Sequence, residues 1–344
     1  MEVERSMTET ERAAEAERQR QPMLEQARQM ELRAQEQKDP DPEAANKLFG
    51  GVYYNRFYFT DHDFDLDEEY NLTQKNSLAA APIPPMRYTD RVSKPGQEPY
   101  RPRVGINVFS VKMSTSDVGF PIHVYGTVIA RDSIDHKCLY LFRLDRDDCQ
   151  LINSVDESLM LTGPKRGIVL MSDVYVEMDL KIKDHGVQDR ELSKGVLNIR
   201  GIARRYLHEC AVESKSLATR LSTVDVMYAV LPLAVEATIV IEVVQGEDFY
   251  GEITAHTTTV RNRLLLYNTK VAGCCGANDG FIPLIRPVMS VSMKEMLVIV
   301  AKTDDGKDER TISFTPDVNS YDEDDITIGA TQMHVKVTWS IVDF

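Results

Sequence analysis

The chain has 344 residues, of which 42% are hydrophobic and 27% are charged, proportions typical of a protein with a packed core. Its formal net charge of −14 creates a field that repels phosphate backbones, which argues against nucleic acid as a partner. The five cysteines lack zinc-site spacing, no apolar run is long enough to span a membrane, and residues 1–20 lack the apolar centre of a signal peptide. We therefore expect an intracellular protein, cytoplasmic or nuclear.

The first 99 residues divide into two zones. Residues 1–46 are rich in Glu, Arg, Gln and Ala, which favour helix, but they offer almost no large aliphatic side chains to bury. This composition predicts a disordered or partly helical charged tail. Residues 47–99 contain an aromatic run, LFGGVYYNRFYF, an acidic run, TDHDFDLDEEY, and a linker whose prolines exclude regular structure. We expect this second zone to serve as a tether or docking element.

From residue 100 onward the sequence has the period of two that is typical of β-strands. VYVEMDLKIK (174–183), EATIVIEVV (236–244) and MHVKVTWSIV (333–342) place their apolar side chains on one face. Valine and threonine are abundant in these segments, and glycines separate them. The pattern predicts an all-β fold, an antiparallel β-sandwich.

Two stretches of this region are alike without a gap. VYGTVIARDSIDHKCLYLF (124–142) and FYGEITAHTTTVRNRLLLY (249–267) both begin with Tyr-Gly at the second position and both end in Leu-x-Leu-aromatic. The strands before and after them follow the same order in each half of the region. We therefore predict a duplication, with β modules at residues 100–232 and 233–344 of about seven strands each, packed face to face or in tandem.

Three acidic segments, LDRDDCQ, TDDGKDE and YDEDDIT, are predicted to be loops. If such loops converged at one end of a sandwich, their carboxylates could bind calcium, although the spacing is not that of an EF-hand. Solvated turns are the alternative interpretation. The calcium candidates are Asp145, Asp147, Asp148, Asp304, Asp305, Asp322, Asp324 and Asp325.

Other motifs point to no defined chemistry. LTGPKRG (161–167) lacks the Gly-Lys-Ser/Thr ending of a phosphate-binding loop, so a tight turn is expected, and GCCG (273–276) indicates a loop with an accessible thiol. His62 lies in the acidic linker, and His123 and His334 fall on outward positions of strands. The chain contains no Gly-x-Ser-x-Gly, His-Glu-x-x-His or Gly-x-Gly-x-x-Gly motif. We predict no cofactor and no catalytic constellation.

Six segments between about residue 85 and the end carry a resemblance to a known family: PMRYTD, VYGTVIARDSIDHKCLYLF, CQLI, LMLTGPKRGIVLMSDVYVEMDLKIK, AVEATIVIEV and VKVTWS. They resemble a plant family known from cereals, the domain of unknown function DUF6598. Some relatives are named after, or fused to, jasmonate-induced ribosome-inactivating proteins, which are rRNA N-glycosylases. Those enzymes use a Glu-Ala-x-Arg motif on a helix with a tryptophan nearby. Here EAER (15–18) lies in the charged tail, and Trp339 is predicted on the last strand.

The residues and the resemblance together give three hypotheses about function. The first is a non-catalytic β-sandwich module that binds a protein partner, in the stress or defence setting that the family implies. The second is a protein associated with ribosome-inactivating enzymes, or a helper of one. The third is a calcium-dependent module that binds membranes through the acidic loops.

Overall fold

The computed structural model describes residues 101–342, except 133, 135–138, 185–188, 205–206, 247, 273–279 and 319. Within these residues the protein is built from sixteen β-strands, all paired antiparallel, together with the short helix α1 (Thr269–Ala272) and two 3-10 turns, η1 (Arg146–Asp148) and η2 (Ile202–Arg204). The all-β prediction is confirmed. The described residues include no helix long and apolar enough to cross a membrane. The predictions for residues 1–46 and 47–99 fall outside the described residues.

Nine strands form the first half of the fold. They are β1 (Arg103–Ser116), β2 (Ile122–Arg131), β3 (Leu139–Leu144), β4 (Gln150–Ile152), β5 (Ile168–Val169), β6 (Asp173–Ile182), β7 (Arg190–Arg200), β8 (Ala211–Ala218) and the start of β9 (Ser222–Gln245). One sheet has the order β3-β2-β6-β7, with β4 paired to β2. It packs against β1, β5, β8 and β9 around a core of side chains from residues 106–230.

The second half continues with seven more strands after β9. They are β10 (Gly251–Thr257), β11 (Leu264–Asn268), β12 (Val288–Ser292), β13 (Leu297–Thr303), β14 (Glu309–Phe314), β15 (Tyr321–Ile328) and β16 (Thr331–Ser340). A sheet of order β11-β10-β13-β14 packs against β9, β12, β15 and β16. Its core takes buried side chains from residues 235–339, so the part of the chain that the structure describes contains two large sandwich cores.

The strand β9 belongs to both halves. Its residues 222–234 pair with β1, whereas residues 236–245 pair with β16, so one seven-stranded sheet contains strands of both halves. The change of partner occurs between Ala234 and Glu236, just after Leu233, which has a positive φ of 51°, and after a shift in the register to β1. The predicted module bounds, 100–232 and 233–344, therefore meet inside a strand rather than in a linker, and they remain a prediction.

The two sandwiches repeat the same topology. The chain order β2-β3-β6-β7 of the first recurs as β10-β11-β13-β14 in the second, and β8 lies beside β9 as β15 lies beside β16. The hairpins even share a bulge. Val128 pairs with Phe142 and Ile129 with Tyr140, which leaves Leu141 as the extra residue; Leu266 is the extra residue in the second hairpin. The structure thus confirms the repeat that the sequence predicts.

The predicted alternation of side chains is also confirmed, with two corrections. Side chains predicted to face inward on β6, β9 and β16 are buried, apart from the half-buried Val243. On β6, however, Tyr175 and Glu177 face away from the core and are buried as well. The second correction concerns YDEDDIT, predicted to be a loop, which is the edge strand β15. Only Ile326 and Ile328 of that strand reach the core, so it lacks the alternation of a central strand.

Candidate functional site

The acidic residues predicted to bind calcium lie on three different elements. Asp145 precedes η1, Asp147 and Asp148 lie within it, and Asp304 and Asp305 lie in the turn between β13 and β14. The remaining candidates, Asp322, Asp324 and Asp325, lie along β15. In the described ranges no three His, Cys, Asp or Glu side chains come close enough together to hold a metal ion. Calcium binding remains an untested prediction.

Cations already neutralise several of these carboxylates. Lys183 Nζ lies 3.7 Å from Asp147 Oδ1, and Lys307 Nζ lies 3.0 Å from Asp305 Oδ2. The Thr303 hydroxyl donates to Asp305 at 2.7 Å, and this bond together with Lys307 holds the pKa of Asp305 far below its usual range. Each turn therefore supplies its own counter-charge, which leaves less charge for a bound cation to balance.

The outward face of β15 and β16 carries a ladder of cross-strand ion pairs. Lys336 Nζ lies 2.7 Å from Glu323 Oε1, and His334 Nδ1 lies 2.8 Å from Asp325 Oδ1. Lys336 also lies over the ring of Tyr321, 4.1 Å from its centroid. Hydrogen bonding to Glu323 raises the pKa of Lys336. His334, predicted to be a solvated histidine, thus lies within hydrogen-bonding distance of a carboxylate on the neighbouring strand.

Beside this ladder the same sheet exposes a group of apolar side chains, which we call the β9 outer patch: Val240, Val244 and Phe281. Their exposed fractions are 40%, 50% and 47%. Val240 pairs across the sheet with Lys336, and Phe281 pairs with Glu242, whose other neighbour is His334. The patch is therefore contiguous with the ion-pair ladder. Its sequence signal is a pair of valines, Val240 and Val244, at outward positions of the run EATIVIEVV, with Glu242 between them.

The two free cysteines in the described ranges lie in different surroundings. Cys149 Sγ lies 3.8 Å from His123 Nδ1, a weak sulfur contact. Burial and a hydrogen bond with Glu295 raise the pKa of Cys210 to about 12, so its thiol stays protonated at physiological pH. The GCCG segment and His62 lie outside the described residues.

Buried charges connect loops to the strands at the junction of the two halves. Arg166 donates to Asp132 at 2.6 Å, and both side chains are fully buried. Asp132 also accepts from the backbone N–H of Val169 at 3.1 Å, and Glu236 of β9 accepts from the N–H of Gly167 at 2.5 Å. LTGPKRG, predicted to be a simple turn, therefore provides groups that join the first half to the second.

A second buried pair lies on the outer face of β2 and β6. Arg131 Nε donates to both carboxylate oxygens of Glu177, at 2.9 and 3.0 Å, and Arg131 is fully buried. Sequence reasoning missed this pair because the two residues lie 46 positions apart and because Glu177 was expected to point away from the core. Trp339, the single tryptophan, is fully buried in the second core. It is not available at a surface where a base could stack.

Comparison with solved structures gives low similarity. Human GIVD cytosolic phospholipase A2 matches at 9% identity with a TM-score of 0.24, over 69% of this chain and 30% of that chain. Extended-Synaptotagmin 2, in a structure of its SMP domain and its pair of C2 domains, matches at 9% identity with a TM-score of 0.23, over 69% of this chain and 56% of that chain. The chain thus spans about a third to a half of these proteins.

No curated protein matches the sequence. The family comparison does give a match: the model of the domain of unknown function DUF6598 matches residues 105–337, from β1 to the last strand, β16. This range takes in both halves of the duplicated fold and the strand that they share. The chain belongs to the DUF6598 family.

Proposed function

We propose that this protein is a non-catalytic β-sandwich module that binds a protein partner through the β9 outer patch. The observation that carries the proposal is the exposure of Val240, Val244 and Phe281 together on one open sheet face. Isolated exposed apolar residues are ordinary, but a group of large ones beside polar residues is typical of an interaction surface. When a partner removes water from such an apolar interface centre, the complex is stabilised.

The charges around the patch indicate the chemistry of the partner. Four consecutive acidic residues, 322–325, lie on β15 at the edge of the same sheet. Glu323 and Asp325 are paired with Lys336 and His334, whereas no cation among the described residues pairs with Asp322 or Asp324. The net charge of the whole chain is −14. A partner surface with an apolar centre and a basic rim on one side complements this arrangement and would associate faster at low salt.

The non-catalytic part of the proposal rests on how the buried polar groups are used. Four buried charged residues form two ion pairs in the interior, Arg131 with Glu177 and Arg166 with Asp132. In an enzyme active site, such polar groups instead point toward the position that the substrate occupies. The stress or defence setting is supported only by the family resemblance, and residues 47–99 are proposed to assist as a tether.

Site-specific photo-cross-linking tests the proposal directly. The full chain would carry the photoreactive amino acid benzoylphenylalanine at position 281 and be irradiated in an extract of the source organism. We expect one dominant adduct, identified by mass spectrometry. Position 212 on β8 gives a matched control, because Val212 is equally exposed, at 47%, but lies on the other half. Equal adducts from both positions, or none from 281, would contradict the proposed surface.

A further inference from the structure

Two segments that each carry a cationic side chain come into contact at the junction between the halves of the protein. Arg286, in the segment before β12, is only 3% exposed and donates from Nη2 to the carbonyl oxygen of Val108 at 2.8 Å. Lys165, from the LTGPKRG segment of the other half, is half-buried and donates from Nζ to the carbonyl oxygen of Ile285 at 3.3 Å. The lysine therefore binds the residue next to the arginine.

Neither cation has a carboxylate partner among the described residues. The hydrogen bonds of both go to backbone carbonyls, and Arg286 Nε is buried without a hydrogen-bond partner. The nearby carboxylates are engaged elsewhere: Asp132 with Arg166, and Glu236 with Gly167 N–H. Burial and the charge of Arg286 lower the pKa of Lys165. A buried guanidinium beside a second cation is costly unless an anion compensates the charge.

The repeat explains how the two cations come together. Thr162 N–H binds Leu141 and Ile285 N–H binds Leu266, so the segments TGP and IRP occupy equivalent places beside β3 and β11. Each supplies one cation at a different position, and the two segments meet where the halves join. Clefts between folded units are preferred places for small ligands.

We propose that Lys165 and Arg286 form a binding site for a small oxyanion, a carboxylate or a phosphate, at the junction of the two halves. The guanidinium presents several N–H donors in a plane that matches two oxygens of such an anion. The half-buried lysine adds a second charge on the solvent side. A bound anion would satisfy the orphaned Nε and remove the repulsion between the cations. The proposed anion site does not depend on the proposed protein partner.

Isothermal titration of the full chain tests the site, with inorganic phosphate in one arm and sodium acetate in the other. Sodium chloride keeps the ionic strength constant, so that general screening does not contribute. We expect saturable binding of at least one anion, and the stronger arm identifies the preferred chemistry. Lys165→Gln should weaken that binding by about tenfold or more, the effect of losing one charge-assisted contact. Lys181→Gln, at an exposed lysine on β6, is the matched control and should bind as the wild type does.

A second measurement guards against a variant that does not fold. Anion binding to the wild type should slow acetylation of Lys165 by acetic anhydride, read by peptide mass spectrometry, while Lys181 reacts at an unchanged rate. Absence of saturable binding in both arms would overturn the proposal. So would equal affinities for the wild type and a folded Lys165→Gln variant, or equal acetylation of Lys165 with and without anion.

Discussion

Gly126 and Gly251 occupy equivalent positions in the two halves and face the same obstacle. A Cβ atom at Gly126 would lie 2.0 Å from the carbonyl oxygen of Asp179, and one at Gly251 would lie 2.1 Å from that of Lys302. Both contacts are far below van der Waals distance, and both come from the paired strand, β6 or β13. The glycine of the Tyr-Gly pair that opens each repeat is therefore required, because the backbone of the paired strand lies too close to leave room for a side chain.

Alanine at either glycine should destabilise the protein. The paired strand would have to move, which typically costs about 1–3 kcal/mol. Gly126 also has a φ of +117°, so Gly126→Ala should cost roughly a further 1 kcal/mol or more. Urea unfolding measures both free energies, with Ser216→Ala on the exposed edge strand β8 as control. If Gly126→Ala lowered the free energy of unfolding by less than Gly251→Ala does, the interpretation would be contradicted.

The repeated pattern explains why so much of the fold could be predicted. Apolar residues at every second position identify β6, β9 and β16, and the Tyr-Gly match identifies the duplication. The edge strands β8 and β15 were missed because AVESKSLA and YDEDDITI contribute few side chains to a core. The junction charges were missed for another reason. Asp132, Arg166 and Glu236 are distant in sequence, and only tertiary packing brings their segments together.

Removing one member of the buried pair Arg131–Glu177 should be strongly destabilising. Glu177→Leu would leave the guanidinium buried without its carboxylate, at a cost of about 3–5 kcal/mol. The double variant Arg131→Met, Glu177→Leu removes both charges and should recover most of that loss. Thermal unfolding of the two single variants and the double variant gives the coupling energy. Additive losses would show that the two side chains do not stabilise one another.

Stability should fall as the pH drops through the range in which His256 titrates. Burial lowers the pKa of His256, and Arg263 and Arg261 lower it further. The folded state therefore binds a proton less readily than the unfolded state, whose histidine titrates near 6.5. Below that pH the unfolded state gains protons and stability is lost.

The variant His256→Phe removes this titration, so its free energy of unfolding should change less between pH 7.5 and pH 5.5 than that of the wild type. Urea unfolding at both pH values measures the difference. An NMR titration of the His256 ring gives an independent readout. A ring pKa at or above 6.5, or an unchanged pH dependence in the variant, would show that the assignment is wrong.

Calcium should have little effect on stability. The acidic candidates are divided among η1, the β13–β14 turn and β15, and Lys183, Lys307, Lys336 and His334 already pair with carboxylates there. A ligand that binds the folded state raises the melting temperature, and the rise grows with the logarithm of the ligand concentration relative to its Kd. We expect a shift of less than about 1 °C at millimolar calcium, with magnesium as control. A large shift specific to calcium would revive the membrane-binding hypothesis.

Binding of the partner to variants of the β9 outer patch tests the central claim most directly. The partner is the protein identified by cross-linking from position 281, and calorimetry with the full chain measures its Kd. We predict that Val244→Asp weakens binding by about tenfold or more, because a buried carboxylate would face an apolar surface. The control Val212→Asp should change the Kd by less than about twofold. An unchanged Kd for Val244→Asp, or equal losses in both variants, would contradict the account.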